Sequence, residues 1–221
     1  MPRPMRIRGN DLHYHIILRC NNKERLLKEK NDFEIFLAIL ADVQREYDFR
    51  LYNYELLNAH VHLLLSTHEN YFIDQIMHDL CFKYAQNYNR RYKRNGHFWA
   101  QRYRSRLVLN DLHGLACLRY QHRNAFSAGI VSRPEDWPWS GYTHYSFNTP
   151  NALLEYHPSF LSLAEDVWAR QKFYREFVHT SIPSDKETAL FEGRGRDMSR
   201  RFLKVVRQTD ELLRLIKSQE P

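Results

Sequence analysis

LYNYELLNAHVHLLLS, residues 51–66, holds two apolar runs, 51–57 and 60–66, around a short Asn58-Ala59 connection. Both runs are rich in aromatic and aliphatic residues, so the stretch predicts two strands joined as a hairpin. Upstream, residues 13–19 are aromatic and β-branched and predict a further strand. Between them, Phe33, Phe36, Leu37, Leu40 and Val43 recur at helical spacing behind Asp32, predicting a helix over 32–47. Downstream, residues 72–94 lack Pro and Gly and carry Ile73, Ile76, Met77, Leu80, Tyr84 and Tyr88 on one helical face, with Asn95-Gly96 as the stop. Residues 104–109 predict a fourth strand, and Asp111 is placed to cap a helix over 112–126, closed by Gly129 and Pro134. The order strand, helix, strand, strand, helix, strand, helix fits an α+β fold: a ferredoxin-like antiparallel sheet with helices on one face. Beyond residue 145 the pattern predicts helices over 163–179 and 198–217, the second of them basic and amphipathic.

The 221 residues, 43% hydrophobic and 27% charged, suffice for a packed core, which excludes a disulfide-stapled miniprotein and a disordered chain. No apolar run approaches the roughly 20 residues of a membrane span. No apolar segment follows the basic residues of the start, Met-Pro-Arg-Pro-Met-Arg, so no secretory signal is expected. Three cysteines without CxxC spacing argue against a disulfide framework and a zinc ribbon, and the expected compartment is the reducing cytoplasm. A net charge of +7 favours a polyanionic partner. The excess is local. Residues 80–110 contain no acid, and Lys83, Arg90, Arg91, Lys93, Arg94, Arg102, Arg104 and Arg106 are interleaved with seven aromatic residues. Cations neutralise phosphates and rings stack on unpaired bases, so this segment suits single-stranded or hairpin nucleic acid. The plainer reading is a solvated helix face, with Tyr84, Tyr88 and Tyr92 packed on the sheet.

Side chains alternate along a strand, so His60 and His62 project from one face while Val61, Leu63 and Leu65 project from the other. Two imidazoles on one face can chelate a divalent cation and leave positions open for substrate oxygens. Four residues apart on one predicted helix, Tyr120 and Asn124 share a face. The amide oxygen suits a hard cation, and the phenol is a candidate nucleophile toward a phosphodiester. Half-exposed strand histidines and a core tyrosine are the plainer readings of the same residues.

With these motifs in place the sequence resembles the single-tyrosine HUH transposases (IS200-like), and within them the REP-associated tyrosine transposase group. The likeness runs through His60-Val61-His62, Gly96-His97-Phe98-Trp99, Arg102-Tyr103-Arg104-Ser105, Arg119-Tyr120, Asn124 and Trp137-Pro138-Trp139-Ser140. It departs from the family pattern at Ala59 and over Ala125-Phe126-Ser127. The resemblance implies metal ligation by His60, His62 and Asn124, a Mg²⁺ or Mn²⁺ ion, and Tyr120 as the nucleophile that forms a 5′-phosphotyrosine link to single-stranded or hairpin DNA of REP type. It covers a catalytic domain over residues 1–145, while residues 146–221 read from their own pattern as a mainly helical, basic extension, and the chain is expected to be a monomer or homodimer. Two other readings compete. One is a non-catalytic nucleic-acid-binding module on the same fold. The other is a zinc enzyme using His13 and His15 with His60 and His62, which leaves Tyr120 and the basic stretch without a role.

Overall fold

A computed structural model of the chain describes residues 7–180 and 198–218. The described residues form two compact units, one running up to Leu107 with Leu153–Glu155, the other comprising Val108–Ala152 and those from Tyr156 onward. Among the described residues, the first unit contains β1 (His13–Arg19), α1 (Lys30–Tyr47), β2 (Arg50–Leu56), β3 (His60–Ser66), α2 (Ile73–Arg91) and β4 (Arg104–Leu107). The strands make one antiparallel sheet in the order β2-β3-β1-β4, the ferredoxin-like α+β arrangement with a helix in each crossover. No helix among the described residues is long and apolar enough to cross a membrane.

Register sorts the sheet residues into two faces. Tyr14, Ile16 and Leu18 of β1 lie beside Leu65, Leu63 and Val61 of β3, forming an apolar face. Phe33, Phe36, Leu40 and Val43 of α1 are buried together with Ile73, Ile76, Met77 and Leu80 of α2. The opposite face carries His15, Asn53, Glu55 and His62, and these too are almost without exposure. The polar face is therefore an interior surface in its own right.

Helix ends show where local chemistry was read only partly. Asp32 is the third residue of α1 and not its cap. Its carboxylate accepts from the backbone N–H groups of Lys28 and Glu29 at 2.9 and 3.0 Å. It also accepts from Arg91 at 3.0 Å and from the Tyr92 hydroxyl at 3.1 Å, joining the start of α1 to the end of α2. Helix α2 stops at Arg91, short of the predicted Arg94, because Lys93 takes a left-handed conformation (φ 47°) and Arg94 N–H returns to the Asn89 carbonyl at 2.8 Å. Asp32 has no exposure, so removing it strands a partly buried guanidinium and two backbone donors. Asp32→Ala should lower unfolding stability by about 3 kcal/mol, read as a shifted denaturant midpoint.

The second unit is helical: α3 (Asp111–His122), α4 (Asn124–Ser127), α5 (Tyr142–Phe147), α6 (Pro158–Leu161), α7 (Val167–His179) and α8 (Met198–Lys217). Asn110, and not Asp111, caps α3, accepting from His113 N–H at 2.9 Å. The helix predicted over 112–126 is broken at Arg123, and Asn124 starts a new turn. Gly114 lets α6 come close to α3: a Cβ there would stand 2.6 Å from the His157 ring. Helix α7 starts at Val167 behind its cap, Asp166, four residues later than predicted.

Helix α8 packs on α3 and α7, with Leu212 and Ile216 buried. The apolar stripe read in this segment thus anchors it within the second unit. Arg207 and Arg214 pair with Glu211 and Asp210 of the same helix. Arg194 and Arg196, and the side chains of Arg200 and Arg201, lie outside the described residues.

His122 sits at the centre of the second unit, against the rings of Tyr142, Tyr145 and Tyr174, its Nδ1 2.7 Å from the Tyr174 hydroxyl. Burial first, and nearby His144 second, push its pKa down from 6.5 to about 3. Above pH 6.5 the ring is neutral folded or unfolded. As pH falls from 6.5 toward 3 only the unfolded chain takes the proton, so stability should fall by about 1.4 kcal/mol per pH unit from this group. Melting curves of the wild type and His122→Gln across that window should therefore converge as the pH is lowered, and parallel curves would remove His122 as the cause.

Candidate functional site

The strand-borne histidines fall in one cross-sheet pattern. His62 of β3 faces Glu55 of β2 on one side and Ile17 of β1 on the other, with Arg104 of β4 beyond Ile17. In the next row Leu64 lies between Asn53 and His15, with Arg106 beyond. The His60 and His62 rings are 5.0 Å apart, edge to face. His15 Nε2 is 3.0 Å from His62 Nδ1. Burial above all, then the charges of His60, His15 and Arg19, holds His62 well below the usual histidine range, so its ring is neutral. In the tautomer in which Nδ1 donates to His15, a neutral imidazole keeps its lone pair on Nε2, the form in which histidine binds metals.

His13 lies farther along β1, where its ring packs 5.0 Å from that of Tyr52. Among the described residues no group of three or more His, Cys, Asp or Glu side chains is gathered to hold a metal ion, so the four histidines do not form one zinc-type cluster. With their rings 5.0 Å apart on one strand face, His60 and His62 are of the donor type that a divalent cation takes.

In the second unit, Tyr120 lies in the last turn of α3 and is 4% exposed, as a packed tyrosine would be. Asn124 is half-buried at the first position of α4. The two predicted partners therefore stand on either side of the Arg123 break and not on one continuous helix.

The basic stretch divides into two groups. Lys83 pairs with Asp79 and Glu46, Arg91 with Asp32, and Arg94 with Glu24. The acids missing from residues 80–110 are thus supplied mainly by distant positions. Arg90, Lys93 and Arg102 are exposed and make no ion pair among the described residues. Arg104 and Arg106 are half-buried on β4. Tyr84 and Tyr88 are core residues in a ring cluster with Phe98, and Tyr92 is held to Asp32.

Residues 98–100 run along the end of β1, with Asn21 N–H bonded to the Phe98 carbonyl and Ala100 N–H to the Arg19 carbonyl. Between this segment and α2 lies a groove of about 910 Å³. His78 and Phe82 stack within 7° of parallel along one wall, with Phe82 52% exposed, and Arg102 stands on the other.

The family described as "Transposase IS200 like" matches residues 9–120, half of the chain. The chain belongs to this family. Among solved structures, the IS200-like chain is similar to a REP-associated tyrosine transposase bound to a REP hairpin, at 15% identity over 71% of this chain and 99% of that one, with a TM-score of 0.58. A proposed transposase from Deinococcus radiodurans is 19% identical over 52% of this chain and 91% of that one, with a TM-score of 0.40. No curated protein matches. The first likeness shows a shared fold.

Two features of this member of the IS200-like family are not legible in its sequence. His15, by residue type a candidate zinc ligand with His13, His60 and His62, instead meets His62, Nε2 to Nδ1. Strand spacing puts it on one face with His13 and Ile17, but the β1–β3 register that brings it to His62 has no local signal. Glu55, directly across from His62, was passed over because a single acid in an aromatic strand carries no local signature.

Proposed function

We propose that this chain is a divalent-metal-dependent endonuclease and strand transferase of the cytoplasm, acting on single-stranded DNA beside a hairpin. Tyr120 is its nucleophile, and His60, His62 and Asn124 are its metal ligands. The observation that carries this reading is the imidazole pair: two adjacent rings on one strand face, the inner one neutral and bonded to His15, in a member of the IS200-like transposase family. The hairpin bound to the fold neighbour supports the choice of substrate class.

A Mg²⁺ or Mn²⁺ ion held by these ligands would polarise the phosphodiester and ease loss of the phenol proton. The Tyr120 oxygen attacks phosphorus, its O–P bond forming as the P–O3′ bond breaks. The phenol proton is released and the departing 3′ oxygen takes one up. The products are a 5′-phosphotyrosine and a 3′-hydroxyl. The phosphodiester-like link conserves the bond for attack by the same or another 3′-hydroxyl.

The groove beside α2 and the unpaired cations supply the nucleic-acid contacts in this reading. Arg102 is placed for a phosphate, and the His78–Phe82 ring pair for an unpaired base. Arg102→Gln should weaken hairpin binding and reduce its log-log salt slope by about 0.7–0.9. Phe82→Ala should weaken binding by about 1–3 kcal/mol and leave the slope unchanged. Lys83, Arg91 and Arg94 spend their charge within the fold and should contribute less to the slope. Equal slopes in wild type and Arg102→Gln would move the DNA path away from the groove.

The reading is tested by incubating the full chain with 5′- and 3′-labelled single-stranded hairpin DNA and Mn²⁺. It expects a denaturation-resistant adduct carrying the label 3′ of the cut, lost on chelation. Tight binding without any adduct would leave a binding module in place of an enzyme.

A further inference from the structure

Arg119 and Arg123 bracket Tyr120 on α3, and neither has a part in the chemistry above. Arg119 is 1% exposed and heads the fully buried side chains by volume. Taking a guanidinium out of water is costly unless its donors are met. Arg119 Nε donates to the Phe177 carbonyl at 2.8 Å and Nη2 to the Thr180 carbonyl, while its Cζ lies 5.6 Å from the Phe177 ring centroid. One turn on, Arg123 Nη1 donates to the Val178 carbonyl. These acceptors belong to the last turn of α7 and its cap. There a helix leaves carbonyls without intrahelical partners and presents the negative end of its dipole.

The position of Arg123 gives the contact its consequence. It ends α3 and precedes Asn124, with φ −90° and ψ −6°, so it is the residue at the break between the Tyr120 turn and the Asn124 turn. Arg119 grips the same α7 terminus from the turn that carries Tyr120. Four residues apart, the two guanidiniums leave α3 on one side, while Tyr120, one residue beyond Arg119, is rotated by about 100°. The arginines are therefore engaged away from the phenol. An apolar side chain of similar volume would fill the Arg119 space without burying charge, so the use of arginine with its Nε and Nη2 directed at one helix terminus is an arrangement that fixes geometry.

We propose that Arg119 and Arg123 are positioning residues: by holding the C-terminal carbonyls of α7 they fix the α3–α4 break, and with it the placement of the Tyr120 phenol relative to the Asn124 amide. The inference rests on Tyr120 being the nucleophile. It makes the α7 terminus part of the machinery.

The test compares wild type, Arg123→Met, Arg123→Lys and Arg119→Lys in single-turnover adduct formation on saturating labelled single-stranded hairpin with Mn²⁺. Hairpin affinity and melting temperature are measured in parallel. Arg123→Met, which keeps length and loses every donor, should slow adduct formation roughly 10- to 100-fold, with affinity unchanged within about twofold. Arg123→Lys retains a donor for the Val178 carbonyl and should recover most of the rate. Arg119→Lys should also be slow. If that variant does not fold, the Arg123 pair decides alone. A folded Arg123→Met protein that reacts at the wild-type rate overturns the proposal, as does a rate loss matched by an equal loss of affinity or left unrecovered by lysine. An adduct that persists in Tyr120→Phe overturns the nucleophile reading and the proposal together, and is seen before any arginine is changed.

Discussion

Tyr120→Phe should reduce covalent adduct formation on single-stranded hairpin DNA by roughly a thousandfold or more, while hairpin affinity stays within about twofold of wild type. The substitution removes one oxygen and keeps the ring. Tyr120 is 4% exposed, so its ring is part of the packing of α3 and phenylalanine preserves that packing. Loss of a hydroxyl hydrogen bond costs about 1 kcal/mol, too little to unfold the unit. Residual adduct at near wild-type rate would move the nucleophile elsewhere, with Tyr103 and Tyr142 as the next residues to replace.

His60→Ala and His62→Ala should each abolish cleavage, and calorimetry should show weakened Mn²⁺ binding in both. Their effects on stability should differ. His62 has no exposure and is joined to His15, so its removal leaves a buried ring nitrogen without its partner and should cost about 1–3 kcal/mol. His60 is half-buried at the first position of β3, and its replacement should be closer to neutral. An unchanged Mn²⁺ affinity in the two variants would place the metal on other residues.

What could be read from the sequence was set by local chemistry. The strands His13–Arg19 and His60–Ser66 match their predicted bounds, each being a short apolar run rich in aromatic and aliphatic residues. The βαββαβ order then leaves few sheet arrangements, and the observed one follows. Alternation in β3 was enough to put His60 and His62 on the same face.

The parts that could not be read depend on distance along the chain. Lys83, Arg91 and Arg94 look like surplus charge in a window of 31 residues, yet Arg91 and Arg94 meet acids 59 and 70 positions away, and Lys83 meets Glu46, 37 positions away, besides Asp79 just outside the window. Alternation assigns residues to the polar sheet face and says nothing of what covers it. Its burial is a tertiary fact with no local pattern. The break at Arg123 was invisible for a similar reason: nothing in Tyr120-Gln121-His122-Arg123-Asn124 interrupts a helix, whereas the Val178 carbonyl that Arg123 holds is 55 residues away. Asn110 and Asp111 are both good caps, and sequence alone does not rank neighbouring candidates.

The most direct measurement is the chemical identity of the covalent product. The full chain would be reacted with single-stranded hairpin DNA and Mn²⁺, denatured, digested with nuclease and protease, and analysed by mass spectrometry. The account predicts a 5′-phosphonucleotide on the peptide that contains Tyr120, with a matching free 3′-hydroxyl on the released strand. A 5′-phosphorylated DNA product with unmodified protein, or the nucleotide on any other tyrosine, would contradict it.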